Sequence, residues 1–220
     1  MLRESERQPV LLVVENAHWA DSETAALVET LVDEIRNARV LLLASYRTEY
    51  RPVWREQPHC TEIRLSPLSA RSAEALIGEF LGPTLELQPL TRLLVERTGG
   101  NALFVEESVR SLIENEVLVG DRGAYRLAKP LSTIQIPDRV QSVLAARIDR
   151  LPEERKSFLQ AGAVIGKDLP FSLLQAVAGV PVDQLLGNLA DLEEAQFLQT
   201  TSLYPDLAYS FRHALIHDVV

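Results

Sequence analysis

Glu15 and Asn16 close the aliphatic run VLLVV (Val10 to Val14), and His18, Trp19 and Asp21 follow closely. A carboxylate at the carboxyl end of a parallel strand lies in the crevice where open α/β sheets bind ligands. A hard cation such as Mg2+ takes oxygen ligands there, often from only one or two carboxylates. A second aliphatic run, Val40 to Ala44, ends in Ser45, Tyr46 and Arg47, which offers a guanidinium at the corresponding position. Further on, Gly99-Gly100-Asn101 precedes a helical stretch, with Asn101 suited to accept from the orphan amides of its first turn. His213 and His217 stand four apart and share one helical face, but no third ligand accompanies them, so a metal site is not expected. Cys60 is the only cysteine, which excludes an internal disulfide. The pairs Glu106-Glu107, Glu153-Glu154 and Glu193-Glu194 read as solvated helix faces.

The elements that must position these residues follow from hydrophobic periodicity. Val10–Val14 is continuously apolar, as a parallel strand covered on both faces would be. Asp21 is a candidate N-cap for a helix to Arg36 whose buried stripe holds Leu27, Val28, Leu31, Val32 and Ile35. With Val40–Ala44 this makes a strand, helix, strand unit that exposes both strand ends on one edge. A loop rich in breakers leads to a short candidate strand, Thr61 to Leu65. Helices are expected near 69–81, 87–98 and 101–115, then a hairpin in LVGDRGAYRL, then helices near 138–150, 152–163, 170–178 and 182–195. Two β-like arms, Phe197 to Thr201 and Leu207 to Phe211, are joined by SLYPD, which is the order of a winged-helix module. The last segment, FRHALIHDVV, reads as a helix stopped in mid-course, and truncation is expected there.

The chain has 220 residues, 46% of them hydrophobic and 24% charged, enough for one large or two modest domains. No apolar run approaches the roughly 18 residues of a membrane span, and the charged beginning MLRESERQPV is unlike a signal peptide. No membrane association and a cytoplasmic location are expected. A net charge of −9 argues against a nonspecific grip on nucleic acid.

Five motifs in this order, LLVVENAHWAD, LLLASYR, GGNALFVEE, IPDRVQSVLAARIDRLPEE and FRHALIHDVV, make the chain resemble AAA-like signalling ATPases of the STAND class from about Pro9 to Val220. The resemblance implies an α/β then mostly α fold: a truncated P-loop-type parallel sheet over 1–66, a helical lid with a short hairpin over 67–128, and a winged-helix domain over 129–220. It implies ATP and Mg2+ as cofactors of the full-length family, with weak or no ATP binding expected of this chain alone. By the same resemblance Glu15 is the magnesium-coordinating Walker B acid, Arg47 the sensor arginine, and Asp21 and Asn101 nucleotide-site residues, Asp21 in the signature after the acid and Asn101 at the start of the lid helix. Asn16 occupies the catalytic position, where the family has aspartate. Ala102 replaces the lid proline.

An amide at position 16 has no basic oxygen with which to polarise water, so weak or absent hydrolysis is expected. No G-x-x-x-x-G-K-[ST] loop is present, and about nine residues precede the first strand. The expected partners are therefore an upstream P-loop segment or parent polypeptide and an output domain of cyclase, kinase or DNA-binding type. The resemblance thus implies a fragment of an ATP-dependent regulatory switch, and two alternatives stand beside that reading. One is a winged-helix DNA-binding regulator, disfavoured because residues 137–220 hold eleven acidic and seven basic residues and 182–195 no Lys or Arg. The other is a non-catalytic scaffold remnant.

Overall fold

A computed structural model describes residues 2–203 and 206–220, and the chain divides into two compact units, Met1–Leu65 and Ser66–Val220. The fold is mixed α/β with small sheets. No helix among the described residues is long and apolar enough to cross a membrane.

In the first unit a short helix α1 (Leu2–Ser5) precedes strand β1 (Val10–Val14), helix α2 (Ser22–Glu34) and strand β2 (Val40–Ala44). β1 and β2 are parallel, with Val10 opposite Val40 and Val14 opposite Ala44. The Asp21 carboxylate accepts from the Thr24 amide at 2.7 Å and so starts α2. Val28 and Val32 form the buried stripe of α2, whereas Leu27, expected on it, is exposed. Strand coverage also differs from expectation. Leu11 (62%), Val13 (50%), Leu41 (66%) and Leu43 (56%) are all exposed, paired across the two strands, so one face of the sheet is bare. The aliphatic run reports what a face requires and says nothing of what lies over it. Thr61 to Leu65 forms no strand: Ile63 and Leu65 are 76% and 92% exposed and join no ladder, because β-propensity without a neighbouring strand makes only extended chain.

The second unit begins with α3 (Ala70–Leu81), α4 (Gln88–Thr98) and α5 (Ala102–Glu114), followed by the antiparallel hairpin β3 (Leu118–Val119) and β4 (Arg126–Leu127). Ile77, Leu81, Leu90, Leu94, Val105, Val109 and Leu112 form the core among these helices. Then come α6 (Val140–Asp149), α7 (Glu153–Ile165), β5 (Asp168–Pro170), α8 (Phe171–Ala178), α9 (Val182–Glu194), β6 (Leu198–Ser202), β7 (Ala208–Phe211) and α10 (Ala214–Val219). β5, absent from the sequence expectation, pairs antiparallel with β7, and β7 with β6, giving the order β5-β7-β6. The expected SLYPD turn lies partly outside the described residues. A second core gathers Leu144, Leu159, Leu169, Leu185, Leu189, Leu192, Phe197 and Ile216.

α5 serves both cores, sending Phe104 to one and Val105 and Val109 to the other. Its acidic pair is correspondingly split. Glu106 meets Arg110 at 3.0 Å, while Glu107, expected on a solvated face, is 1% exposed and ion-paired with the fully buried Arg147 of α6. A carboxylate is buried only where a cation comes with it.

His213 caps the beginning of α10 with extended backbone, and burial pushes its imidazole below the ordinary value of 6.5. Glu106 and Glu107 favour its charged form, while Arg212 and Arg110 oppose it. The unfolded chain therefore binds a proton at a pH where the folded chain does not, and stability falls as pH drops below about 6.5 towards the folded value. Thermal midpoints between pH 7 and pH 5.5, above the carboxylate range, should decline for the native chain and decline less for His213→Asn. Equal slopes would remove His213 as the cause.

Candidate functional site

Parallel pairing brings the ends of β1 and β2 to the same edge of the sheet. Three hydrogen bonds clasp the two exits together: Ser45 N–H donates to the Val14 carbonyl at 2.9 Å, Asn16 N–H to Ser45 Oγ at 3.0 Å, and Ala17 N–H to the Ser45 carbonyl at 2.8 Å. The chain can turn back so soon because Asn16 adopts left-handed backbone, φ 55 and ψ 43. Asparagine tolerates that region far better than a β-branched residue would. Glu15 consequently stands at the rim, exposed, between the last strand residue and the turn. Asn16 is half-buried beside it.

After the turn, residues Ala17–Trp19 make one 3-10 turn. Ala17 is buried, and both ring nitrogens of His18 are covered. The His18 and Trp19 rings lie 5.1 Å apart, and Trp19 is about half exposed. Asp21 gives its Oδ1 to the helix cap, and the Thr24 hydrogen bond holds its carboxyl below the usual range. That bond orients Asp21 along α2 and explains the residue without a ligand.

Arg47 is exposed two residues beyond the Ser45 clasp and starts a tight turn in which Tyr50 N–H donates to its carbonyl at 3.0 Å. Tyr46 packs edge-on against Tyr50 (5.8 Å between centroids) and Trp54 (5.7 Å). This aromatic group beside the rim was visible as a Tyr-x3-Tyr-x3-Trp spacing that the sequence reading passed over. Glu62 anchors the same loop, accepting from Arg55 and from Arg64, each at 2.9 Å, and these partners lower its carboxyl. The structure thus places Glu15, Asn16, Asp21 and Arg47 in the first unit on or next to one strand-end edge.

Asn101 belongs to the second unit, where Oδ1 accepts from the Phe104 amide at 3.0 Å and caps α5. The two glycines before it have separate reasons. Gly99 ends α4 in left-handed backbone, and Gly100 lets the chain touch Leu68, whose N–H donates to the Gly100 carbonyl at 2.8 Å. His213 and His217 do not converge on a ligand set. His217 Nε2 lies 3.2 Å from the Ala163 carbonyl and its Nδ1 3.3 Å from Asp218. Among the described residues no group of three His, Cys, Asp or Glu side chains is placed to hold a metal. A cation at the rim would accordingly lean on Glu15 and on oxygens brought by its ligand.

No family model matches the chain. Over 217 residues, 97% of its length, the chain is 28% identical to an uncharacterized protein of Rhizobium meliloti (strain 1021), and it spans 20% of that protein's length.

Proposed function

We propose that this chain is the portion of an ATP-dependent regulatory switch of the STAND class that runs from the Walker B strand to a winged helix. The observation that carries the reading is the parallel register of β1 and β2, which sets Glu15 and Arg47 past neighbouring strand ends on one edge. In such a site Glu15 would hold Mg2+ and Arg47 would meet the terminal phosphate of ATP. The bare aliphatic face and the unpaired segment Thr61 to Leu65 support the expectation of an upstream phosphate-loop segment. Parallel sheets are stable when covered on both faces, and two such strands alone bury too little. A further strand and helix would complete the layer and bring the phosphate-binding amides that this stretch lacks.

The lid and winged-helix assignments in the second unit draw support from its two cores and from the order α7, β5, α8, α9, β6, β7 with sheet order β5-β7-β6. Such a module would pass a change at the nucleotide edge to an output domain of cyclase, kinase or DNA-binding type. With Asn16 in place of a second acid, turnover would be slow or nil, and the switch would work by binding. Isothermal titration with Mg-ATP tests this. The chain alone should bind weakly or not at all, a version carrying a phosphate-loop segment upstream should bind at least ~100-fold more tightly, and Glu15→Gln in that version should remove the magnesium-dependent part. If the extended version also ignores ATP, the reading is wrong.

A further inference from the structure

We propose that the outward face of α9 docks a basic amphipathic helix of a protein partner. The inference rests on the second unit alone and is independent of nucleotide binding. Asp183, Gly187, Ala190 and Glu194 recur at helical spacing and are all exposed, with Val182 and Leu186 exposed alongside them. Leu185, Asn188, Leu189 and Leu192 fill the inward face, so the outward one is left to the surroundings. α8, the preceding helix of the same hairpin, adds exposed Leu173 and Val177.

Gly187 is the informative residue. Glycine weakens a helix interior relative to alanine, and a Cβ built there would meet nothing within 4 Å. The chain's own packing therefore gives no reason for its absence. A helix lying across α9 does, since small residues at the contact let two axes approach to about 8 Å, the short end of the packing range.

The charge selects the partner. Residues 171–195 contain four carboxylates and no Lys, Arg or His. Asp191 is ion-paired with Arg155, and Glu193 accepts from the Thr200 amide at 2.9 Å. Asp183 and Glu194 are exposed at the two ends of the small-residue stripe, eleven residues and therefore about 16 Å apart. An apolar stripe flanked by Lys or Arg about three turns apart complements that pattern, whereas a phosphate backbone does not.

The probe is a fluorescein-labelled helical peptide with leucines at i, i+3, i+4 and i+7 and lysines on the flanks, followed by anisotropy at 50 and 300 mM salt. The native chain should bind it at both salts. Gly187→Leu, which blocks close approach while favouring the helix, and Leu186→Ser should each weaken binding at least tenfold. Val164→Ser, which alters a still more exposed aliphatic residue on α7 (89% against 38% for Leu186), should change it less than twofold. Gly187→Ala should raise the thermal midpoint of the free chain by about 2–4 °C. The proposal is overturned by undetectable binding, by binding unaffected in Gly187→Leu and Leu186→Ser, by binding that salt alone abolishes, by duplex DNA binding at this face, or by self-association through it.

Discussion

Arg147→Met should destabilise the second unit by about 3–5 kcal/mol, the usual cost of removing one member of a buried ion pair. Arg147 is fully buried with Glu107 on its Nη1, while Nε and Nη2 reach Glu114 at 2.9 and 2.6 Å, and Nη2 also donates to the Ala195 carbonyl at 2.9 Å. Its guanidinium lies over the Phe197 ring at 4.6 Å. Burial opposes the charge, yet the Glu114 hydrogen bond and the charges of both carboxylates outweigh it and raise the guanidinium above its ordinary range. Methionine fills much of the volume but leaves Glu107 charged, 1% exposed and without its cation. Glu114, one third exposed, can turn to water. The double variant Arg147→Met/Glu107→Met should therefore recover at least half of the loss, because an apolar replacement of both partners removes the stranded charge. Urea unfolding followed by far-UV circular dichroism measures both, since most of the helices lie in this unit; Trp19 and Trp54 lie in the other, so indole fluorescence reports on that one. A single-variant loss under 1 kcal/mol would show that the triad does not tie α5 to α6.

That triad also marks the limit of sequence reading. Glu106 and Glu107 are alike in composition and neighbourhood, and only a cation forty residues away decides which is buried. Local signals fared better. β1 and β2 end where the apolar runs meet polar residues, and Asp21 and Asn101 cap helices because a short side-chain acceptor can reach the third amide onward. Coverage was the part that composition could not convey. Val10–Val14 and Val40–Ala44 read as strands buried on both sides, and in the first unit one side of each is open. Thr61 to Leu65 has strand alternation but no ladder. At the rim, Glu15 and Arg47 were legible from parallel topology, while Tyr46, Tyr50 and Trp54, although evenly spaced, meet through a loop fold that their spacing alone does not specify.

Gly100→Ala should cost the second unit about 3 kcal/mol or more, whereas Gly99→Asn, one residue earlier, should cost less than about 1 kcal/mol. Both glycines have positive φ, 56 at Gly99 and 79 at Gly100, so for one and the same substituent backbone preference alone predicts similar losses, and asparagine, which tolerates this region, isolates the effect of space at 99. Space separates them. A Cβ at Gly99 would meet nothing within 4 Å, but at Gly100 it would lie 2.2 Å from the Leu68 carbonyl oxygen and 2.9 Å from the Leu68 nitrogen. Those are backbone atoms of the segment that Gly100 itself holds by hydrogen bond, so relief of the clash must break that bond and shift the approach to α3. Asparagine at 99 keeps the left-handed end of α4 and touches nothing new. Because Asn101 caps α5 immediately afterwards, the same strain would loosen the cap, and amide exchange of Phe104 should accelerate in Gly100→Ala but not in Gly99→Asn. Equal destabilisation by the two substitutions would mean that backbone conformation, not the contact with Leu68, is what the second glycine serves.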